Sequence, residues 1–241
     1  MRYAILSDIH GNLEALGAVA DECHQQHVGK ILCAGDTVGY GANPKECLDF
    51  LQKFKVPSVA GNHDWAVGGR LDASYFTDNG KAAIAWIRSN IPFEYFNYLN
   101  GLTTVYKNED VIVTHASLNT PEYFDYLNNI TKAPNTFTLM DRPVCFIGHT
   151  HVPQIFIQQG ENIVYSHTAE VEVIPECKYI VNVGSVGQPR DKNSMASYCI
   201  YDTDSGLIQL RRVSYDIVTA QQKILAAGLP KALATRLSLG K

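Results

Sequence analysis

Arg2-Tyr3-Ala4-Ile5-Leu6-Ser7-Asp8-Ile9-His10-Gly11-Asn12 opens the chain, and its reading governs how the rest is read. A short apolar run ends on Asp8-x-His10, an oxygen donor and a nitrogen donor two residues apart. They lie on the same side if the extended geometry continues. Leu13, Leu16, Val19, Ala20 and Cys23 then recur at helical spacing, with Asn12 placed to cap that helix and Glu14 in its first turn. A second strand, at about 30–35, ends on Gly35-Asp36. The helix begun by Pro44 turns Cys47, Leu48, Leu51 and Phe54 inward. A third strand, at about 57–60, ends on Gly61-Asn62-His63-Asp64. This β-α-β-α-β order predicts parallel strands joined by right-handed crossovers.

The same punctuation returns later. Val111-Ile112-Val113-Thr114 leads into His115, and Val144-Cys145-Phe146-Ile147 leads into Gly148-His149-Thr150-His151. In open α/β sheets, ligands collect outside the carboxyl ends of the strands. Asp8, His10, Asp36, Asn62, His115, His149 and His151 are therefore expected around one point, enough for two metal ions sharing a bridge. Asp36 has two carboxylate oxygens and is the natural bridge. Asn62 contributes a neutral oxygen, which keeps the site net positive and favours a phosphate. Mixed imidazole and oxygen donors suit Mn, Fe or Zn, and two such ions clamp an in-line phosphoryl displacement. His63 is the candidate proton donor or charge stabiliser, with Asp64 expected to hold its imidazole in the productive tautomer. His24, His27 and His167 lack such a context. The first two close a helix, where they face the negative end of its dipole.

Residues 65–102 break the alternation. Gly68-Gly69 interrupts, a helix is expected from about Asn79 to Ser89, and Pro92 opens an aromatic-rich run through Phe93, Tyr95, Phe96, Tyr98 and Leu99. This stretch is expected to be a helical excursion capping one edge of the site. Tyr75, Phe76, Trp86 and Tyr95 are candidates there to stack on a base, although rings at helical spacing also suit a core. A strand pair (about 103–107 and 110–114), a loop region (116–142) and a strand (144–148) follow. Short strands then fill about 154–214, with Asp204-Ser205-Gly206 as a hairpin turn. A helix pair broken at Gly228-Leu229-Pro230 closes the chain. The expectation is one domain over 1–241, with two facing sheets and helices outside.

The 241 residues are 46% hydrophobic and 18% charged, enough for a sizeable core. A net charge of −4 gives no general pull towards nucleic acid or anionic membrane, and Lys107, Lys132, Arg211 and Arg212 are too scattered to form a patch. No signal-peptide pattern or membrane-length apolar stretch is present. Six cysteines without a Cys-x-x-Cys pair point to a reducing cytoplasm rather than a disulfide framework. A strand edge in the last third leaves room for a homo-oligomer.

Taken together, Asp-x-His, Gly-Asp, Gly-Asn-His-Asp, a lone His and Gly-His-x-His, in that order over residues 8–151, resemble the calcineurin-like metallophosphoesterase superfamily. Ser7–Asn12 and Asn182–Asp191 look like its small prokaryotic, phosphodiesterase-like branch. The resemblance implies an α/β fold: a four-layer β-sandwich of two mixed sheets flanked by helices. It implies one metal on Asp8, His10, Asp36 and His151 and a second on Asp36, Asn62, His115 and His149. It also implies His63 paired with Asp64, and hydrolysis by a hydroxide bridging the two ions. Similar protein phosphatases carry Gly-Asp-x-Val-Asp-Arg-Gly, with the Arg on the substrate phosphate. Here Gly35-Asp36-Thr37-Val38-Gly39-Tyr40-Gly41 puts Tyr40 at the Arg position, which leans the expected substrate towards a phosphodiester or nucleotide-type ester. Arg190 is the candidate replacement cation, and Asn12 and Asn62 complete the candidate substrate contacts. A phosphomonoesterase, a protein phosphatase, a dinucleoside polyphosphate hydrolase and a non-catalytic scaffold of the same fold remain the alternatives.

Overall fold

The computed structural model describes all 241 residues. In chain order the elements are β1 (Arg2–Leu6), α1 (Leu13–Gln25), β2 (Lys30–Cys33), α2 (Pro44–Lys53), α3 (Asn62–Gly68), α4 (Asp78–Asn90) and α5 (Phe93–Gly101). Then come β3 (Val105–Lys107), β4 (Val111–Thr114), α6 (Ala133–Leu139), β5 (Val144–Ile147), β6 (Gln154–Gln159), β7 (Asn162–Ser166) and β8 (Glu170–Glu172). The chain ends with β9 (Cys177–Asn182), β10 (Ala196–Asp202), β11 (Leu207–Val213), α7 (Ile217–Ala226) and α8 (Lys231–Leu239).

Two mixed sheets face each other. One has the order β2-β1-β10-β11-β8 and the other β3-β4-β5-β9-β6-β7. β1 and β2 run parallel, as do β4, β5 and β9; the remaining pairings are antiparallel. Between the sheets lies an apolar layer that includes Tyr3, Ile5, Leu32, Val113, Phe146 and Val181. The alternate residues of the same strands face outward. Ala4 and Leu6 meet Leu16, Val19 and Cys23 of α1 and Leu51 of α2; Ile112, Cys145 and Ile180 meet Phe137 and Met140 at α6. The period-2 alternation of each strand thus builds both its inner and its outer layer, giving the α/β/β/α order expected of the sequence.

The helices around the predicted cap form their own core. Trp65 and Val67 of α3, Ile84 and Ile87 of α4, and Tyr95 and Leu99 of α5 pack together. Trp86 and Tyr95 are spent in such packing, whereas Tyr75 and Phe76 line a cleft. The C-terminal helices α7 and α8 pack beside Tyr40 and Ala83.

Three local expectations change. The stretch expected as a third strand makes a single bridge from Ser58 to Cys33. Pro57 has no N–H to donate, so the ladder cannot lengthen there. Gly61 leads directly into α3, a helix that the sequence reading did not place. The region 116–142 holds α6, opened by Pro134 in its first turn, together with two 3-10 turns.

Candidate metal centre

All five parallel strands, β1, β2, β4, β5 and β9, deliver their carboxyl ends to one edge of the sandwich. Backbone hydrogen bonds stitch the loops that follow them. Asp8 N–H donates to Gly35 O (2.9 Å), His10 N–H to Asp36 O (3.0 Å), Gly148 N–H to His115 O (2.9 Å) and Gly187 N–H to Asp8 O (2.9 Å). Six of the seven donors predicted from sequence converge in three overlapping groups, and Asn62 lines the cleft beside them. Asp8, His10 and His151 form one group; Asp36, His115 and His149 form another; and His10, Asp36 and His63 bridge them. Within each group the ligating atoms lie within 4.8 Å of one another.

Each carboxylate commits one oxygen to the protein and aims the other at the centre. Asp8 Oδ2 accepts from Ser7 Oγ (2.7 Å) and His149 N–H (2.9 Å). Its Oδ1 is buried with no hydrogen-bond donor and stands 3.2 Å from His151 Nε2 and 3.6 Å from His10 Nε2. Asp36 Oδ1 accepts from His63 N–H (2.8 Å). Its Oδ2 lies between the two groups, 3.4 Å from His115 Nε2 and 3.7 Å from His10 Nε2. Asn62 Oδ1 is likewise buried without a partner.

The imidazoles are oriented from behind. His10 Nδ1 meets Val38 O (3.1 Å), His115 Nδ1 meets Ala34 O (2.7 Å) and His151 Nδ1 meets Gln188 O (2.5 Å). A carbonyl only accepts, so each Nδ1 carries a proton and each Nε2 is turned inward, where it offers a lone pair once the ring is neutral. Yet His10 Nε2 and His151 Nε2 are only 3.1 Å apart. Two neutral rings so placed oppose their lone pairs unless a proton or a metal cation lies between them.

Backbone strain concentrates at the same place. Asp8, His10, Asp36, His149 and His151 all have left-handed φ, from +50° to +66°. Each such non-glycine conformation costs about 1–3 kcal/mol and persists where the surroundings impose it. Orphaned carboxylate and amide oxygens, opposed imidazole lone pairs and strained ligand residues together fit a pair of cations held by imidazole and oxygen donors.

The charges follow from burial and neighbours. Burial raises Asp8 and Asp36, but the surrounding histidines outweigh it and hold both well below the usual carboxylate range. Burial pushes His63 and His149 down to about 3 and His151 to about 4, against the pull of the nearby carboxylates. His115 goes the other way: burial opposes its charge, yet Asp36 and Asp8 lift it to about 9. Burial and then the Asp36 charge push Asp64 up to about 7, against its backbone hydrogen bonds.

Asp64 does not meet its expected partner. Its carboxylate accepts from Gly61 N–H (3.0 Å) and Val38 N–H (3.2 Å), so it caps α3 and fixes the Asp36 loop. His63 Nε2 instead lies 3.0 Å from the Tyr40 hydroxyl, a contact that sequence reasoning missed although Tyr40 stood out at the arginine position. Asn12 is also engaged elsewhere. Its amide oxygen caps α1 by accepting from Ala15 N–H (3.1 Å), and its nitrogen donates to Gly187 O (2.9 Å), which leaves it a brace. Arg190 does reach the cleft beside Asn62 and His63. Its Nη2 lies 3.4 Å from the Tyr40 hydroxyl, and its Nε is buried without a partner. The loop leading to it is a support as well: Ser185 Oγ donates to Asp8 O (2.8 Å) and Asn182 Nδ2 to Gly148 O (2.7 Å).

Known proteins carry the same architecture. The chain is 40% identical over 242 residues to the uncharacterized protein MJ0912 of Methanocaldococcus jannaschii, covering 99% of this chain and 98% of that one. A metallophosphoesterase from Sphaerobacter thermophilus superposes with a TM-score of 0.86 at 36% identity, over 100% of this chain and 99% of the other. The hypothetical protein PH1004 of Pyrococcus horikoshii OT3 shares the fold, with a TM-score of 0.82 at 17% identity over 100% and 98% of the two chains. Residues 1–206 match the model of the calcineurin-like phosphoesterase superfamily domain, a span that holds every metal-type donor described above. With its donors converged at the strand ends of a double-sheet sandwich, this chain belongs to the calcineurin-like phosphoesterase superfamily.

Proposed function

We propose that this protein is a dinuclear metal-dependent hydrolase of phosphate esters, with phosphodiesters or nucleotide-type esters as its substrates. The observation that carries the reading is the pair of donor groups with Asp36 Oδ2 between them, together with the buried, unpartnered Asp8 Oδ1 and Asn62 Oδ1. Asp8, His10, Asp36 and His151 would hold one ion, and Asp36, Asn62, His115 and His149 the other, with Mn, Fe and Zn matching the donors. Such a pair would supply Lewis acidity to a phosphoryl oxygen and lower the pKa of a bound water.

The chain's own residues do the rest. Arg190 donates to the Tyr40 oxygen, so the Tyr40 hydroxyl proton is directed to His63 Nε2, and the His63 proton sits on Nδ1. That Nδ1 is buried with no acceptor in the protein, which frees its N–H for an oxygen of the substrate. With its pKa at about 3, His63 works as a neutral donor that stabilises charge developing on a departing or equatorial oxygen. Arg190 brings the positive charge that the Tyr40 position does not. One guanidinium beside the metals suits the single negative charge of a diester better than a dianionic monoester.

Purified protein loaded with Mn should hydrolyse bis-p-nitrophenyl phosphate, and faster than p-nitrophenyl phosphate. His63→Ala should retain the metal and lose about 10²–10⁴-fold in kcat. Metal-loaded protein inert to a broad ester panel would favour a scaffold instead. No helix is long and apolar enough to cross a membrane, and all six cysteines are buried and unpaired, which supports a reducing compartment such as the cytoplasm.

A further inference from the structure

The cleft above the metal centre encloses about 580 Å³, room for an organic group beyond the phosphate itself. Its floor is Asp36, Asn62, His63, His149 and His151. Its walls are mostly rings: Tyr75 and Phe76 with Leu71 on one side, and Tyr123, Phe124 and Tyr126 on the other. Tyr75 is 84% exposed, Tyr123 72% and Tyr126 45%. Apart from the floor, Arg190 and Glu122 are the charged groups of the lining.

Phe124 explains why those tyrosines stay open. It is buried and packs edge-on against Trp65 (ring centroids 5.3 Å apart) and His115 (5.8 Å). Its φ of +54° is rare for a bulky residue. A strained, anchored Phe124 turns the chain so that Tyr123 and Tyr126 line the cleft. Tyr126 lies flat on the ring of His149, with centroids 4.0 Å apart and planes 20° off parallel. That stack fixes one aromatic face beside the metal centre.

Resting on the phosphoesterase reading, we propose that this cleft binds the nucleoside arm of a nucleotide phosphate ester, its base stacked against the walls of Tyr75, Tyr123 and Tyr126. Planar rings reward a planar partner of any base identity, whereas an acyl chain is served by aliphatic walls, and Leu71 is the one aliphatic residue here. Glu122 is the acceptor at hand for sugar hydroxyls or exocyclic amines. Tyr123 and Tyr126 are thereby specificity residues, with no part in bond cleavage.

The test is calorimetric titration of metal-loaded His63→Asn protein, which slows turnover, with thymidine 5′-monophosphate, hexyl phosphate and methyl phosphate. The nucleotide should bind about 5- to 150-fold more tightly than methyl phosphate, with hexyl phosphate well behind it. Adding Tyr123→Ala or Tyr126→Leu should collapse that ratio towards 1, and Tyr126→Phe should keep it. Equal affinity for all three ligands, hexyl phosphate matching the nucleotide, or a ratio that survives loss of the rings would each overturn the proposal. Elemental analysis and wild-type turnover of bis-p-nitrophenyl phosphate report on the parent reading separately. If the metal-loaded protein turns over no ester, the ratio of affinities still decides whether the cleft prefers a nucleoside.

Discussion

At the scale of single residues, the site depends on where no side chain stands as much as on its ligands. A Cβ on Gly61 would overlap the Asp36 carboxylate, and Gly39, at φ +154°, has the His10 ring where its Cβ would be. Gly61→Ala should therefore displace the shared carboxylate, and metal content after reconstitution should fall to a small fraction of wild type while far-ultraviolet circular dichroism is retained. Tyr40 tests a different link. If its hydroxyl sets the tautomer of His63, Tyr40→Phe should lower kcat about 10- to 100-fold with metal content unchanged, a modest share of the effect typical of a positioned proton donor. It should also leave KM nearly unaltered, whereas a merely structural role would show in the melting temperature. Asn12 gives the contrasting case. Asn12→Ala removes a helix cap worth about 1 kcal/mol and a loop brace, so denaturant unfolding should show a lower midpoint while KM stays put.

At the scale of elements, the parallel strands act as a jig. β1, β2, β4 and β5 each end on a ligand loop, and β9 ends on the loop that braces them. The loops carry five of the candidate ligands in the left-handed conformation, and on the dinuclear reading proposed above a cation pair would offset that strain. Removing metal with a chelator should lower the melting temperature by several degrees. Re-addition at about 100 times Kd should restore about 2.7 kcal/mol. Hydrogen exchange should localise the loosening to residues 8–12, 35–41 and 148–152, with the strands unaffected. The same elements show how legible the chain was. α1, α4, α5 and the strands of the last third stood out because apolar spacing and punctuation agreed. β8 and α6 did not: three residues are too few to display a period, and Ala133–Leu139 carries little apolar patterning beyond Phe137 and Leu139.

At the scale of the whole molecule, the proposed metals would compete with a proton on His115. His115 titrates at about 9 because the Asp36 and Asp8 carboxylates outweigh its burial. In metal-free protein this raised pKa contributes stability that is complete below about pH 6.5 and lost as pH rises through about 9. A metal needs the neutral imidazole, so loading at pH 7–8 should release about one proton per molecule from His115. Titrations in buffers of different ionisation enthalpy measure that number directly, and metal affinity should rise with pH across the same window.

The sequence alone determined the family and the two-sheet sandwich, and it named candidate donors, six of which the fold gathers into close groups. Ligand residues are written as short motifs at strand ends, and the side-chain alternation of strands is a local property. Only the tertiary structure decided what Asp64 and Tyr40 do, what Asn12 does besides capping α1, and which rings border the site. Those roles depend on contacts between stretches far apart in the chain: Asp64 with Val38, Asn12 with Gly187, Tyr40 with His63 and Arg190. Tyr126 reaches His149 through a loop whose own sequence has no period. A capping box, a brace and a hydroxyl relay draw on the same residue types, and which one forms is settled by the distance to a partner that local spacing cannot encode.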